Sequence, residues 1–309
     1  MIVWLASYPR SGNTFFRVIL NSVFNIKTYS IYNDRTDIGA DEKTSEIVGH
    51  EFLPIDFDIE KARKEDKTYY IKTHELLDDR VYDRDKVIYL IRDGRESTLS
   101  FTNHENTFST RKISIIDVIY GNTFIGAWGE HVASWSPYKR KNTLLIQFEE
   151  LIKEPVSFIE NIADFLDKKP TNQTVPTFAE LKAVNPKFFR NGKTNSWENL
   201  YSNEEHIAFW MKNYPQMIEY GYTYNMPKEF ESNTATLREL SYQNTYIMKL
   251  LLNNLHEKNK LLAEQKSKIE EQKSKIEEKN KIINSIYSSK RYKVAQKLAI
   301  LNIFTRKCN

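Results

Sequence analysis

The chain opens with a short apolar run, Ile2-Val3-Trp4-Leu5-Ala6, that passes at once into the turn-rich segment Ser7 to Asn13. Thr14 to Asn25 follows, with Phe15, Val18, Ile19, Ser22 and Val23 at helical spacing. A continuous apolar run of strand length has the pattern of a strand buried on both faces, which is the habit of parallel sheets. Three further runs read the same way: Thr68 to Lys72, Lys86 to Ile91 and Thr143 to Phe148. A helix beginning near Glu96 follows the third strand, and another spans Pro155 to Leu166. Strands alternating with helices predict an α/β fold with a P-loop-like central parallel sheet and helices on both faces.

Beyond about Phe230 the pattern changes. Met248, Leu255, Leu262, Ile269, Ile276 and Ile283 recur at strict seven-residue intervals, and Glu264 to Glu270 repeats as Glu271 to Glu277. Such spacing argues a long helix or coiled coil. The second core position is polar in either register: Asn259, Lys266, Lys273 and Asn280, or Lys258, Gln265, Gln272 and Lys279. Self-association and a solvated single helix both stay open. In Arg291 to Lys307, Val294, Ala295, Leu298, Leu301 and Phe304 share one helical face, rimmed by Lys293, Lys297, Arg306 and Lys307. That helix suits an anionic membrane surface, or equally packing on protein. The expected divisions are 1–230, a long helical segment over 231–290, and a basic amphipathic helix over 291–309.

Composition narrows the setting. Cys308 is the single cysteine, so no intramolecular disulfide can form, which fits a reducing compartment. Met1 to Ala6 is too short for the core of a signal peptide, and no apolar run approaches the roughly 18 residues of a spanning helix. A cytoplasmic location is expected, with peripheral contact at the inner membrane surface left open. The net charge of +4 is modest, and Glu interleaved with the tail lysines argues for a solvated helix face rather than nucleic-acid binding.

The loop between the first strand and helix is where chemistry enters. Gly12 permits close backbone approach, and the helix behind it offers unsatisfied N–H groups and a favourable dipole to an anion. Arg10 adds a charged fork, and Ser11, Asn13 and Thr14 add donors. The loop lacks the Gly-x-x-x-x-Gly-Lys-Ser/Thr pattern, so the usual ligands of Mg²⁺-bound triphosphate chemistry are missing. No His/Cys/carboxylate cluster stands at metal-ligand spacing. Arg92 and Ser100, eight residues apart around the third strand and its helix, suit a second anion pocket at the carboxyl edge of the sheet, where ligands bind. A polar turn and an ordinary strand-end ion pair are the bland alternatives.

Tyr8-Pro9-Arg10-Ser11-Gly12-Asn13-Thr14 resembles the opening motif of the sulfotransferases that use 3′-phosphoadenosine 5′-phosphosulfate (PAPS). The resemblance continues, in order, at Lys72-Thr73-His74, at Arg92 with Ser100, and at Phe188-Phe189-Arg190-Asn191-Gly192 running on to Trp197. Phe148-Glu149-Glu150-Leu151 and Thr177-Phe178 are weaker matches, and the whole runs from about Ile2 to Tyr222.

Carried onto this chain, the family pattern implies that Arg10, Ser11, Gly12, Asn13 and Thr14 cradle the 5′ end of the donor, with Phe15 and Phe178 near its adenine. It implies that Arg92, Ser100, Arg190, Asn191 and Gly192 hold the 3′-phosphate. Asn191 stands where the family has Lys, which removes a charge from that contact, and Lys193 is a candidate replacement. His74 would be the general base and Lys72 the contact to the sulfuryl group, while Arg10 would favour departure of the 5′-phosphate. Two phosphate pockets fit a donor charged at 3′ and 5′ positions, with no metal required.

The acceptor is expected to lie between Tyr29 to Leu77 and Asn103 to Trp135, with Asp34, His50, His104 and Trp128 as polar or stacking candidates. A carbohydrate hydroxyl is the leading acceptor, because the Ser-Lys-Arg-Tyr-Lys-Val tail motif resembles those of bacterial surface-glycan glycosyltransferases; lipid and small-molecule hydroxyls are alternatives. Two rival functions remain: a P-loop nucleotide kinase, and a non-catalytic nucleotide-binding scaffold whose helical tail does the work.

Overall fold

The computed structural model describes residues 1–32, 34–36, 38–110, 112–186, 189, 196–226 and 234–305. Its centre is a five-stranded sheet in the order β2-β3-β1-β4-β5. The strands are β1 (Ile2–Ser7), β2 (Tyr29–Ser30), β3 (Tyr69–Thr73), β4 (Lys86–Ile91) and β5 (Thr143–Gln147), and every pairing is parallel. Four of these were expected. The fifth, β2, is two residues long, too short to show a period of its own.

Side-chain alternation explains why both faces are covered. Along β1, Trp4 and Ala6 enter one apolar cluster and Val3 and Leu5 the other. The first cluster includes residues of α6 (Trp128–Trp135) and α10 (Asn203–Glu219); the second includes α1 (Asn13–Phe24) and α8 (Ile159–Leu166). The segment from Pro155 begins as a 3₁₀ turn to Phe158 before α8. Proline at its start fits, because that N–H would have no helical partner.

Register positions the chemistry. Ala6 aligns with Thr73 on one side, Ser7 with Leu90 on the other, and Ile91 with Gln147 beyond. The loops after β1, β3, β4 and β5 therefore leave from one edge of the sheet. Helix α4 (Gly94–Phe108) starts two residues after Arg92, with the Asp93 carboxylate accepting from Arg95 N.

Contacts divide the chain into two units, Met1–Ser241 and Tyr242–Asn309. The expected boundary at 230 falls outside the described residues. Two helices follow, α11 (Thr234–Ser288) and α12 (Lys290–Thr305). Val294 and Leu298 of α12 are exposed, as are Arg291, Lys293 and Lys297. Among the described residues no helix is long and apolar enough to cross a membrane.

Ile88 is fully buried on β4, so Ile88→Ala should lower the unfolding free energy by about 2–5 kcal/mol. Urea denaturation of the first unit's tertiary signal measures it, and an unchanged midpoint would contradict this packing.

Candidate active site

Gly12 is the N-cap of α1 at φ 92°, a left-handed conformation suited to glycine. A Cβ there would lie 2.2 Å from Phe148 Cδ2, so the ring at the end of β5 occupies the space a side chain would need. No side chain caps α1; its first-turn N–H groups and the positive end of its dipole are left for an anion. Two candidate donors turn inward instead. Asn13 Nδ2 donates to the Leu5 carbonyl at 3.0 Å and to Ser7 Oγ at 3.2 Å, while Ser11 Oγ lies 3.3 Å from Ser97 Oγ in the interior. These side chains hold the loop's shape.

That cavity encloses about 490 Å³. Arg10, Gly12, Asn13, Thr14, Phe15, Lys72, His74, Arg92, Ser100 and Phe178 all line it; Ser11 does not. Residues from four separate loops and helices, up to 168 positions apart, thus share one space. Phe15 stacks on Phe178 with ring centroids 4.7 Å apart and an interplanar angle of 24°. Arg190, Asn191 and Gly192 lie outside the described residues, as does Lys193; Phe189 and Ser196, on either side, line the cavity.

The two expected anion pockets adjoin. Arg10 Nε donates to Ser100 Oγ at 3.3 Å, and Arg92 Nη1 donates to the Arg10 carbonyl at 2.9 Å. Arg10 itself has φ 65°, a left-handed backbone that costs a non-glycine residue of order 1 kcal/mol. The bond from Arg92 helps hold it. Glu96 sits 3.4 Å from Arg92 Nη2 and accepts from Ser196 N at 2.8 Å. Behind them, Asp93 N donates to Glu149 Oε1 at 2.9 Å and Tyr222 OH to Glu149 Oε2 at 3.0 Å.

His74 has the geometry of a base. Its Nδ1 lies 2.8 Å from the Ser7 carbonyl oxygen. A carbonyl can only accept, so Nδ1 carries the proton and Nε2 keeps its lone pair. Burial, then the neighbouring Lys72 charge, hold His74 well below the ordinary imidazole value of 6.5 against the opposing pull of the Ser7 carbonyl. The ring is therefore neutral near pH 7. Its backbone N–H donates to Tyr32 OH at 2.8 Å, and the Tyr32 ring lies 6.0 Å away at 20°. Burial pushes the Tyr32 hydroxyl up to about 12, so it stays protonated. Lys72 Nζ is 3.5 Å from Asp34 Oδ2 in a shielded ion pair.

Of the acceptor-side candidates, His104 lines the cavity with Asn103, Glu105, Phe124 and Tyr32. Asp34 reaches the site through Lys72. His50 is buried against Arg17 Nη2 at 2.8 Å, and burial pulls it down to about 4. Trp128 is core, its indole N–H donating to the Arg92 carbonyl at 3.2 Å. Tyr32 and Glu96 were not singled out by the sequence: Glu96 pairs with Arg92 four residues before it but also reaches the distant Ser196, and a sheet-edge residue two positions past β2 is visible only once β2 is.

A family model described as the sulfotransferase domain matches residues 2–217. Mouse sulfotransferase 1B1 is 24% identical over 231 residues, covering 64% of this chain and 76% of that protein. Human sulfotransferase 1E1 is 26% identical over 244 residues, covering 64% and 77%. The crystal structure of mouse sulfotransferase SULT7A1 complexed with PAP aligns at a TM-score of 0.51 and 19% identity, covering 78% of this chain and 89% of that one. The chain belongs to the sulfotransferase domain family. PAPS-dependent sulfuryl transfer, the activity anticipated from its motifs, goes with that membership.

The lowered His74 value has a kinetic consequence. Because the base form persists below pH 6.5, kcat/KM should stay level as pH falls through 6.5 and drop only in more acid solution. A pH–rate profile with an acid limb centred at or above 6.5 would contradict the assignment.

Proposed function

We propose that this chain moves the sulfuryl group of PAPS to a hydroxyl of a carbohydrate acceptor, with His74 as general base. The convergence of Arg10, Lys72, His74, Arg92 and Ser100 on one cavity carries the reading. In the transfer, the acceptor oxygen forms a bond to sulfur as the bond from sulfur to the 5′-phosphate oxygen breaks. The acceptor proton passes to His74 Nε2, and the negative charge leaves on the bisphosphate. Arg10 and the α1 amides stabilise that charge where it builds. Lys72 serves the sulfonate oxygens, and Arg92 with Ser100 anchors the 3′-phosphate, fixing the line of attack.

A sugar acceptor is supported by the mixture of side chains in the cavity lining. Asn103, His104 and Glu105 offer hydrogen-bonding groups, and Tyr32, Phe101 and Phe124 offer ring faces. Polar groups that fix orientation among aromatic walls are the usual make-up of a selective small-molecule site. A relative of 30% identity over 127 residues is named as a guinea-pig 3-beta-hydroxysteroid sulfotransferase, so steroid and phenol hydroxyls belong in the test.

With ³⁵S-labelled PAPS and parallel glycan, steroid and phenol panels, label should enter the glycans. His74→Ala should slow transfer by about 10²–10⁴-fold, the usual contribution of a general base. The thermal shift produced by the 3′,5′-bisphosphate should survive in that variant. Undiminished transfer would remove His74 from its role; label only in steroids or phenols would remove the carbohydrate.

A further inference from the structure

Along α11 the side chains of Leu262, Ile269, Ile276 and Ile283 are 47%, 51%, 58% and 46% exposed, one above another at seven-residue steps. We propose that this stripe is the seam of a parallel, in-register, two-stranded coiled coil formed with the same helix of a second copy of this chain.

Period is the first argument. A straight α-helix turns about 20° out of phase with each seven-residue step, so a strict heptad stripe drifts around the cylinder. The sequence keeps the step from Met248 to Ile283, five heptads, by which a flat surface would have lost the stripe. A partner helix that winds left-handedly stays with it.

Composition selects the partner and its direction. In a parallel pair in register, each core position meets its own counterpart. Ile269 then faces Ile269 and Ile276 faces Ile276, with polar layers of like with like between them. An antiparallel pair would set every isoleucine against Lys266, Lys273 or Asn280 in one register, or against Gln265, Gln272 or Lys279 in the other. No layer would then be apolar on both sides, whereas the parallel pair keeps every isoleucine layer fully apolar. In parallel register Asn259 and Asn280 each meet an identical amide, the arrangement by which a core asparagine specifies alignment. A second copy supplies this alternation with matching phase over the whole stripe.

Lysine beside the seam limits the number of strands. In a two-stranded rod the stems of Lys266 and Lys273 can run outward along the partner and keep their ammonium groups in water. Three or four strands would enclose them. Lys273 pairs with Glu270 at 2.9 Å on its own helix, which softens like-charge repulsion across the pair.

The test uses the full chain with Cys308→Ser, so that one introduced cysteine is the only thiol. Light scattering should give twice the 36.5 kDa chain mass. Copper-phenanthroline oxidation of Ile276→Cys should link most of the protein as a disulfide dimer. Ser274→Cys, on the opposite side of the helix, should stay largely unlinked. A one-chain mass at micromolar concentration would overturn the proposal, as would a mass of three chains or more. So would linkage between chains carrying Leu262→Cys and chains carrying Asn280→Cys when neither links to itself, since that is the antiparallel result.

Discussion

The hydrogen bond from Arg92 to the Arg10 carbonyl is the tie on which the site depends. It joins the loop after β1 to the end of β4, neighbouring strands whose register already brings Ser7 beside Leu90. With that bond made, the left-handed Arg10 points its guanidinium at Ser100, and Arg10, Arg92 and Ser100 line one cavity. The glycine two residues on gives way to the Phe148 ring, which also lies 4.6 Å beneath the Arg92 guanidinium. One aromatic side chain at the end of β5 thereby shapes the loop and supports the cation that holds it.

Positive charge in the cavity has a second effect, on the base. A ring that is to receive a proton must not already carry one, and His74, half-buried, sits beside Lys72 and near Arg10. Desolvation and these cations act in the same direction, disfavouring imidazolium. The Ser7 carbonyl resists them but settles the tautomer. In the proposed reaction, the cations that would attract a polyanionic donor are the same ones that keep His74 neutral, so donor binding and base readiness would share one electrostatic origin.

Much of this was legible in the chain because it is local. Four strands, the anion loop, and the Lys72-Thr73-His74 and Arg92…Ser100 patterns each occupy a few consecutive residues, and apolar runs report burial directly. The inward turn of Ser11 and Asn13 was not legible. Both are donors by type, and only their partners, Ser97, Leu5 and Ser7, reveal that they serve the loop's shape. Tyr32 and Glu96 escaped for a related reason: each acts through a residue distant in sequence, His74 and Ser196 respectively. Trp128 and His50 looked like candidates by type, and tertiary packing claimed them for the interior.

Carboxylates in an anion-binding cavity need a reason, and the geometry supplies one. Asp34 stands 3.5 Å from Lys72 and Glu96 3.4 Å from Arg92, each pair mostly shielded from water. An uncompensated cation in such a place is costly, by several kcal/mol per ion. Each carboxylate therefore lets its cation sit pre-positioned at the cavity wall, where the proposed reaction would bring the donor. The arrangement has a corollary for affinity. An incoming phosphate or sulfonate finds a cation already partly neutralised, so its net gain is a difference between two ion pairs rather than a whole one. Tight gripping of the donor and release of the spent bisphosphate are opposing demands, and a cation shared between protein carboxylate and ligand serves both.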